Sequence, residues 1–591
     1  MERKMYNLSK QLDVEEVTNM LLDDRDLTLN EDLGEESEID SHDEVEECVL
    51  DSETEQDGDS GEDEEVGSYY IGKDKNTKWN KKPFQKKRRE PLNIITHLPA
   101  VIGTARNAKT AVECWNSIFT DDILDSIVTY TNQYIDIIKD KYICNRTIKP
   151  TDEIELRAFF GLLYLAGAYR ANRQSLEELW GKDGDGVEKF SLVMSINRFK
   201  ILIRCLRFDD RTTRTERKTH DRLAPIRDIF QRFVVSCKQS YYPGENLTID
   251  EMLPGFRGRC AFRQYIPSKP NKYGIKMYAL VDASKTYTYN LEVYAGKQPE
   301  GPYCVSNKPI DVVKRLAEPL FRSGRNITAD NWFTSCDLID YLKIQKLSYV
   351  GTVRKNKREL PPQFVSVKER QQYSSMFAFH NGKALVSYVP HAKKIVLLLS
   401  TLHDDAAIDP GTGAEKNPEI ITFYNATKGG VDTADQMCST FNVSRNIKRW
   451  PMVIFFAMLN LGGINSQVIY LENKLEPLRR RLYLKKLAHE LVLGELRRRS
   501  VKTIGIPSRL QVQLKRFRPE DDGEKSPSAP PHKRRRCTTC QTESGTRRLS
   551  NYECLKCHKA ICLTHAKMVC NSCYLLCKCD FSGETSASTS D

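Results

Sequence analysis

At 591 residues, of which 40% are hydrophobic, the chain is too long for one hydrophobic core, which excludes a single small domain and predicts several. The formal charge of +10 hides a segregation: positions 31–66 carry 19 Asp or Glu and no Lys or Arg, leaving about +29 on the remainder, the balance of a nucleic-acid binder. No signal-peptide pattern is present, Asn460, Asn465, Ser466 and Gln467 interrupt the longest apolar stretch (451–471) and argue against a membrane partner, and nine of the 18 Cys fall between positions 537 and 579, a clustering that suits metal binding in a reducing compartment.

In chain order, residues 1–95 read as a disordered arm, acidic to position 66 and then basic through Lys81, Lys82 and the run 86–89. Ser37, Ser41, Ser52 and Ser60 each have Asp or Glu three residues on, the pattern of an acid-directed kinase acting on this arm. Residues 96–245 have helical periodicity, apolar residues returning every three or four positions, and Thr151 is the expected N-cap of one helix. At 246 the texture changes. LTID, CAFRQYI, YGIKMYALVDA and TYTYNLEVYAG read as strands, PIDVVKRLAEPLF as a helix, NITAD as a strand, followed by a helix-like run and the strand LSYVGTVR. That order belongs to a ribonuclease H-like core, placed at 246–355 and completed by 419–441. Residues 356–418 read as a β-rich insertion domain with an Asn381-Gly382 hairpin turn. Residues 442–516 return to helices and are expected to pack on 96–245 as one split, all-α domain. A basic linker (517–536) and a cysteine-rich domain (537–580) complete a multidomain α+β chain.

Three phrases deliver an aspartate at the end of an apolar or β-branched run. Asp250 ends LTI, Asp330 ends NITA, and Asp432, with Asp435 behind it, follows Gly429-Gly430, a hinge able to open a helix. In the expected core the first and fourth strands are neighbours, so Asp250 and Asp330 would meet at one edge. Three residues on a helix turn by about 300°, which puts Asp432 and Asp435 on one face. Such acids can hold two Mg²⁺ or Mn²⁺ ions for phosphoryl transfer. Arg257, Arg259, Arg263, Lys269, Lys272 and Lys276 after Asp250, and Arg354, Lys355, Lys357 and Arg358 after the last core strand, are expected to line a double-stranded DNA track. Trp332 is a candidate either for base stacking or for the core.

The tail supplies ligand pairs Cys537/Cys540, Cys554/Cys557, Cys562/His565 and Cys570/Cys573, enough for two tetrahedral Zn²⁺ sites. Only four residues separate Cys557 from Cys562. Adjacent pairs are therefore discouraged from sharing an ion, and a cross-brace is favoured with the first and third pairs on one zinc and the second and fourth on the other. Cys577 and Cys579 are left over, either as free thiols or as an alternative to Cys570/Cys573.

At these residues the chain resembles the piggyBac family of cut-and-paste DNA transposases. LTIDEMLPGFRGRC, YIPSKPNKYGIKM, NITADNWFTS, VGTVRKNKRE, YNATKGGVDTADQM, RWPM and the cysteine module occur in the family's order. The resemblance implies that Asp250, Asp330 and Asp432 are the catalytic acids and that Asp435 matches the family's further Asp. It also implies excision through hairpinned ends, insertion at TTAA, dimerisation and DNA binding by the split helical domain (96–245 and 442–516), a cysteine-rich domain that binds transposon ends, nuclear localisation and action as a homodimer. The competing expectation is a domesticated DNA-binding or chromatin protein that keeps the scaffold without cutting.

Overall fold

The computed structural model describes residues 46–47, 68–83, 94–142, 148–181, 184, 186–518, 535–543, 545, 548–550, 552 and 559–566. Ser37, Ser41, Ser52, Ser60 and the basic run 86–89 lie outside the described residues. The chain divides into two compact units, 1–518 and 519–591.

Residues 68–83 depart from the sequence expectation. Instead of belonging to a disordered arm they form a hairpin of β1 (Tyr69–Ile71) and β2 (Lys78–Asn80). The cause is Trp79, which is fully buried and donates its indole N–H to the Glu359 carbonyl at 2.8 Å. The amides of Lys73 and Asp74 add bonds to the carbonyls of Leu360 and Arg358.

The helical layer opens with α1 (Ala111–Asn116), α2 (Asp121–Ile138), α3 (Glu153–Ala168), α4 (Ile196–Cys205) and α5 (Arg227–Ser240). The cap of α3 is Asp152, not Thr151, whose hydroxyl is occupied elsewhere. The Asp152 carboxylate accepts the Glu155 amide at 2.9 Å, whereas Thr151 Oγ1 donates to the buried Glu155 carboxylate, itself paired with Arg198.

The α/β region then runs β3 (Asn246–Met252), β4 (Arg263–Tyr265), β5 (Tyr273–Ile275), β6 (Met277–Asp282), β7 (Thr288–Val293), α6 (Pro309–Ala317), β8 (Asn326–Ala329), α7 (Cys336–Ile344) and β9 (Ser348–Thr352). It continues through β10 (Ser375–His380), β11 (Lys383–Tyr388) and β12 (Val396–Ser400) to α8 (Glu419–Thr427) and α9 (Gly430–Thr440). One mixed sheet holds ten strands in the order β7-β6-β3-β8-β9-β12-β11-β10-β2-β1. Only the pairs β3/β8 and β8/β9 are parallel. The stretch expected as a separate insertion domain instead continues this sheet, because β12 pairs with β9 and covers what would otherwise be an open edge. Its hairpin turn has positive φ at both Asn381 (48°) and Gly382 (71°), as a two-residue turn requires.

After α9, α10 (Trp450–Glu472) is long and apolar enough to cross a membrane, but its apolar window is wholly buried in the protein. Its polar residues explain themselves. Asn465 bonds both the amide and the carbonyl of Thr288 on β7, and Asn460 accepts the Val443 amide. α11 (Arg480–Val501) packs along α3, returning the chain to the first helices. Trp115 donates to Tyr164, which donates to the Leu459 carbonyl, so α1, α3 and α10 share one buried relay.

Trp79→Ala should cost the hairpin anchor about 3 kcal/mol or more. Hydrogen exchange at 68–83 and 358–360 is expected to rise by at least tenfold while α10 stays protected; unchanged exchange at 68–83 would contradict the anchoring role.

Candidate active site

Parallel register does the first part of the assembly. Ile249 on β3 lies opposite Ala329 on β8, so the next residue of each chain, Asp250 and Asp330, leaves the same edge of the sheet side by side. Each carboxylate is steadied by local backbone. Asp250 Oδ1 accepts the Glu251 amide at 2.8 Å, Asp330 Oδ1 accepts the Trp332 amide at 3.0 Å, and Thr334 Oγ1 ties the Asp330 carbonyl at 2.7 Å.

The second part is the close approach of α9. Thr427 at the end of α8 is hooked to both central strands, its carbonyl accepting from Thr248 Oγ1 at 2.6 Å and its hydroxyl meeting Thr328 Oγ1 at 2.9 Å. Gly430 then lets α9 lie on β3, since a Cβ there would stand 2.6 Å from Thr248 Oγ1. The first turn of α9 carries Asp432, whose side chain is 68% exposed; Asp435 is half-buried one turn further on.

These acids feel one another. Burial, then the charges of Glu251 and Asp330, push the Asp250 carboxyl well above its ordinary range, with Asp432 adding to the effect. Burial and Glu251 raise Asp330 to about 6, against the amides of Trp332 and Phe333 and the guanidinium of Arg354. Burial and Asp432 raise Asp435, opposed by Lys269. Glu251 is itself buried, and its Oε2 has no hydrogen-bond partner. Repelling carboxylates and an orphan oxygen converging on one sheet edge are a donor set that fits divalent cations. Among the described residues no three of these acids close to within 4.8 Å, and Lys269 stands among them, its Nζ 3.8 Å from Asp432 Oδ1.

The basic residues divide. Arg257, Arg259 and Lys272 are exposed, and Arg354 and Lys355 are partly exposed, with Arg354 Nε 3.4 Å from Asn331 Oδ1 beside Asp330. Lys276 is a correction. It is 2% exposed, and its ammonium lies 4.9 Å and 5.1 Å from the ring centroids of Trp332 and Tyr278, so it is core and not an open phosphate contact. Trp332 packs likewise, stacked on Tyr278 at 5.7 Å.

In the C-terminal unit, Cys537, Cys540, Cys562 and His565 place their ligand atoms within 4.8 Å of one another. Cys540 Sγ lies 3.6 Å from Cys562 Sγ and 3.3 Å from His565 Nδ1, and Cys562 Sγ lies 3.4 Å from His565 Nδ1. Those separations resemble the edges, about 3.5–3.8 Å, of a tetrahedron around zinc. A hydrogen bond from Thr564 pulls the Cys562 thiol down to about 5, toward the thiolate a metal ligand needs. The first and third sequence pairs thus converge; Cys554, Cys557, Cys570, Cys573, Cys577 and Cys579 lie outside the described residues.

The family described as Transposase IS4 matches residues 110–467, a span containing all four aspartates. The chain belongs to the piggyBac-type transposase family. The human PiggyBac transposable element-derived protein 3 is 22% identical over 370 residues, 59% of this chain and 60% of that protein. The human chimeric ERCC6-PGBD3 protein is also 22% identical over 370 residues, 59% of this chain but 34% of its own length. The chain therefore spans less than two thirds of either relative. Among solved structures, a piggyBac transposase synaptic complex with hairpin DNA superposes with a TM-score of 0.69 at 37% identity, covering 80% of this chain and 100% of that one.

Glu251 went unremarked in the sequence, and Lys269 was one basic residue among several; the signals were an acid directly after the strand-end Asp250 and a lysine set between Pro267 and Pro270. Two outcomes follow for this piggyBac-type site. Because folding raises the Asp330 value, its contribution to stability is full below its unfolded value of 3.8 and is lost as pH rises through about 6. Without added divalent metal, Asp330→Asn should therefore raise the melting temperature near pH 7.5 and flatten its decline above about pH 5; an unchanged pH profile would count against it. Gly430→Ala should cost about 1–3 kcal/mol by forcing α9 off β3, with Mn²⁺ affinity falling at least threefold; wild-type stability and affinity would show that the close approach is dispensable.

Proposed function

We propose that this chain is a cut-and-paste DNA transposase whose sheet, in its β7-β6-β3-β8-β9 half, is a ribonuclease H-like catalytic core. The observation that carries the reading is the register-matched pair Asp250 and Asp330 on adjacent parallel strands, with α9 bringing Asp432 and Asp435 to the same edge. Asp250, Asp330 and Asp432, with Asp435 beside them, would hold two Mg²⁺ or Mn²⁺ ions, which supply activation of the attacking hydroxyl and stabilisation of the leaving oxygen. The chain's own residues do the rest. Arg354, next to Asp330, and the exposed Arg257, Arg259 and Lys272 take DNA phosphates and fix the strand beside the acids.

The chemistry is a series of exchanges at phosphorus. Water first replaces a 3′-oxygen at the element boundary, giving a free 3′-hydroxyl and a 5′-phosphate. That hydroxyl then attacks the opposite strand, one P–O bond forming as another breaks, and closes a hairpin at the element end. Opening of the hairpin and attack of the freed 3′-ends at TTAA completes insertion. The similarity to a synaptic complex with hairpin DNA supports this order. The Cys537, Cys540, Cys562 and His565 cluster fits Zn²⁺, with a second Zn²⁺ assigned to Cys554, Cys557, Cys570 and Cys573, and this module recognises the transposon ends. Work on paired ends calls for a homodimer, and genomic DNA as substrate places it in the nucleus. The acid-directed kinase acting on the N-terminal arm belongs to the same proposal.

In an excision assay on an element with matched terminal repeats, Asp250→Ala should lower excision at least 100-fold while end binding stays within about threefold. Cys537→Ser should instead weaken end binding at least tenfold. Zinc-dependent end binding by a wild-type protein that never excises would favour a domesticated DNA-binding protein over a transposase.

A further inference from the structure

Lys269 sits in the turn between β4 and β5, where its neighbours Pro267, Ser268, Pro270, Asn271 and Lys272 are all exposed. Its own side chain is only 18% exposed and folds inward. The ammonium donates to the Glu251 carbonyl at 3.2 Å and stands 3.8 Å from Asp432 Oδ1. Its carrier is fixed in place. Ile266 donates to the Lys272 carbonyl across the turn, and Phe256 and Ile275 donate to the Tyr273 and Pro254 carbonyls, clamping the hairpin to the chain that continues from β3. Gly274 lies so close to that chain that a Cβ would be 2.5 Å from the Pro254 carbonyl oxygen.

We propose that Lys269 is the resident cation of this carboxylate cluster, paired with Asp432 while no metal is bound and competing with divalent ions for it. The inference rests on the reading of these acids as metal ligands. It separates Lys269 from the DNA-track residues around it: a phosphate contact would point outward with Lys272, whereas this ammonium is turned onto Asp432 and the Glu251 carbonyl. The consequence is regulatory. The lysine sets the metal concentration at which the site loads, and it lets four or five like charges converge in the empty protein without splaying α9 from the sheet.

The test uses the full chain, with zinc retained and without added divalent metal, titrated with Mn²⁺ and followed by electron paramagnetic resonance and by thermal melting. Lys269→Met should bind Mn²⁺ at least threefold more tightly than wild type. It should melt lower without metal and gain more from Mn²⁺, and its half-saturating Mn²⁺ for DNA nicking should fall by the same factor. Lys269→Arg should stay close to wild type, and Lys272→Met should leave Mn²⁺ affinity unchanged. Equal or weaker Mn²⁺ binding in Lys269→Met, or an unchanged metal-free melting temperature, would overturn the proposal. Mn²⁺ binding by Asp330→Asn equal to that of wild type would instead remove the reading of the acids as ligands.

Discussion

Mutual repulsion among carboxylates at one sheet edge is the constraint to which the rest of this structure answers. Asp250 and Asp330 are carried there by a parallel pairing whose register leaves neither strand free to slip without turning its apolar residues out of the core. Charges of one sign at partly buried positions oppose folding, so the segments that bear them must be held by interactions elsewhere. Leu247, Ile249, Ile327 and Ala329 provide that hold on the two central strands, all of them buried. Thr248, Thr328 and Thr427 add a polar clasp between the sheet and the end of α8, just before the chain turns into α9.

The split helical layer has the same purpose at longer range. α10 is buried along nearly its whole length, and its Asn465 satisfies both backbone groups of Thr288 on β7, the edge strand of the sheet. An apolar helix with a single amide aimed at a strand edge gives orientation as well as burial, because a rotated α10 would strand that amide in the core. Tyr164 and Trp115 then lock α10 to the helices that precede the sheet in sequence. The helices before and after the α/β region are thereby packed against each other as one layer.

How much of this was legible depended on whether the signal was local. Strands β3 and β8 announce themselves by β-branched runs ending in Asp, α9 by its double glycine, and the turn at Asn381 and Gly382 by residues that tolerate positive φ. The convergence of Cys537 and Cys540 with Cys562 and His565 followed from spacing alone. What stayed hidden is decided by partners distant in sequence. Trp79 looks like one aromatic residue in a polar arm until Glu359 supplies its carbonyl, and Lys276 looks like one more base in a basic segment until Tyr278 and Trp332 enclose it. The extension of the sheet by β12, β11 and β10 is of the same kind, since alternation marks a strand without naming its neighbour.

The two clusters are built in opposite ways. The Cys/His atoms are closed together by tight CxxC and CxxH turns, and among the described residues of that unit the buried cluster is little more than the cysteines themselves with Ile561, so a metal held there would contribute to folding directly. The carboxylates stand further apart, yet their strands and helix are already fixed by a large core. A cluster of the second kind keeps its geometry whether or not an ion is held, because the core and not the ligands fixes it. The repulsion is opposed by the surrounding fold, by the backbone amides and Arg354 at Asp330, and by the Lys269 ammonium. The placement of Lys269 on a clamped hairpin, rather than on a free loop, is what its part in that opposition requires.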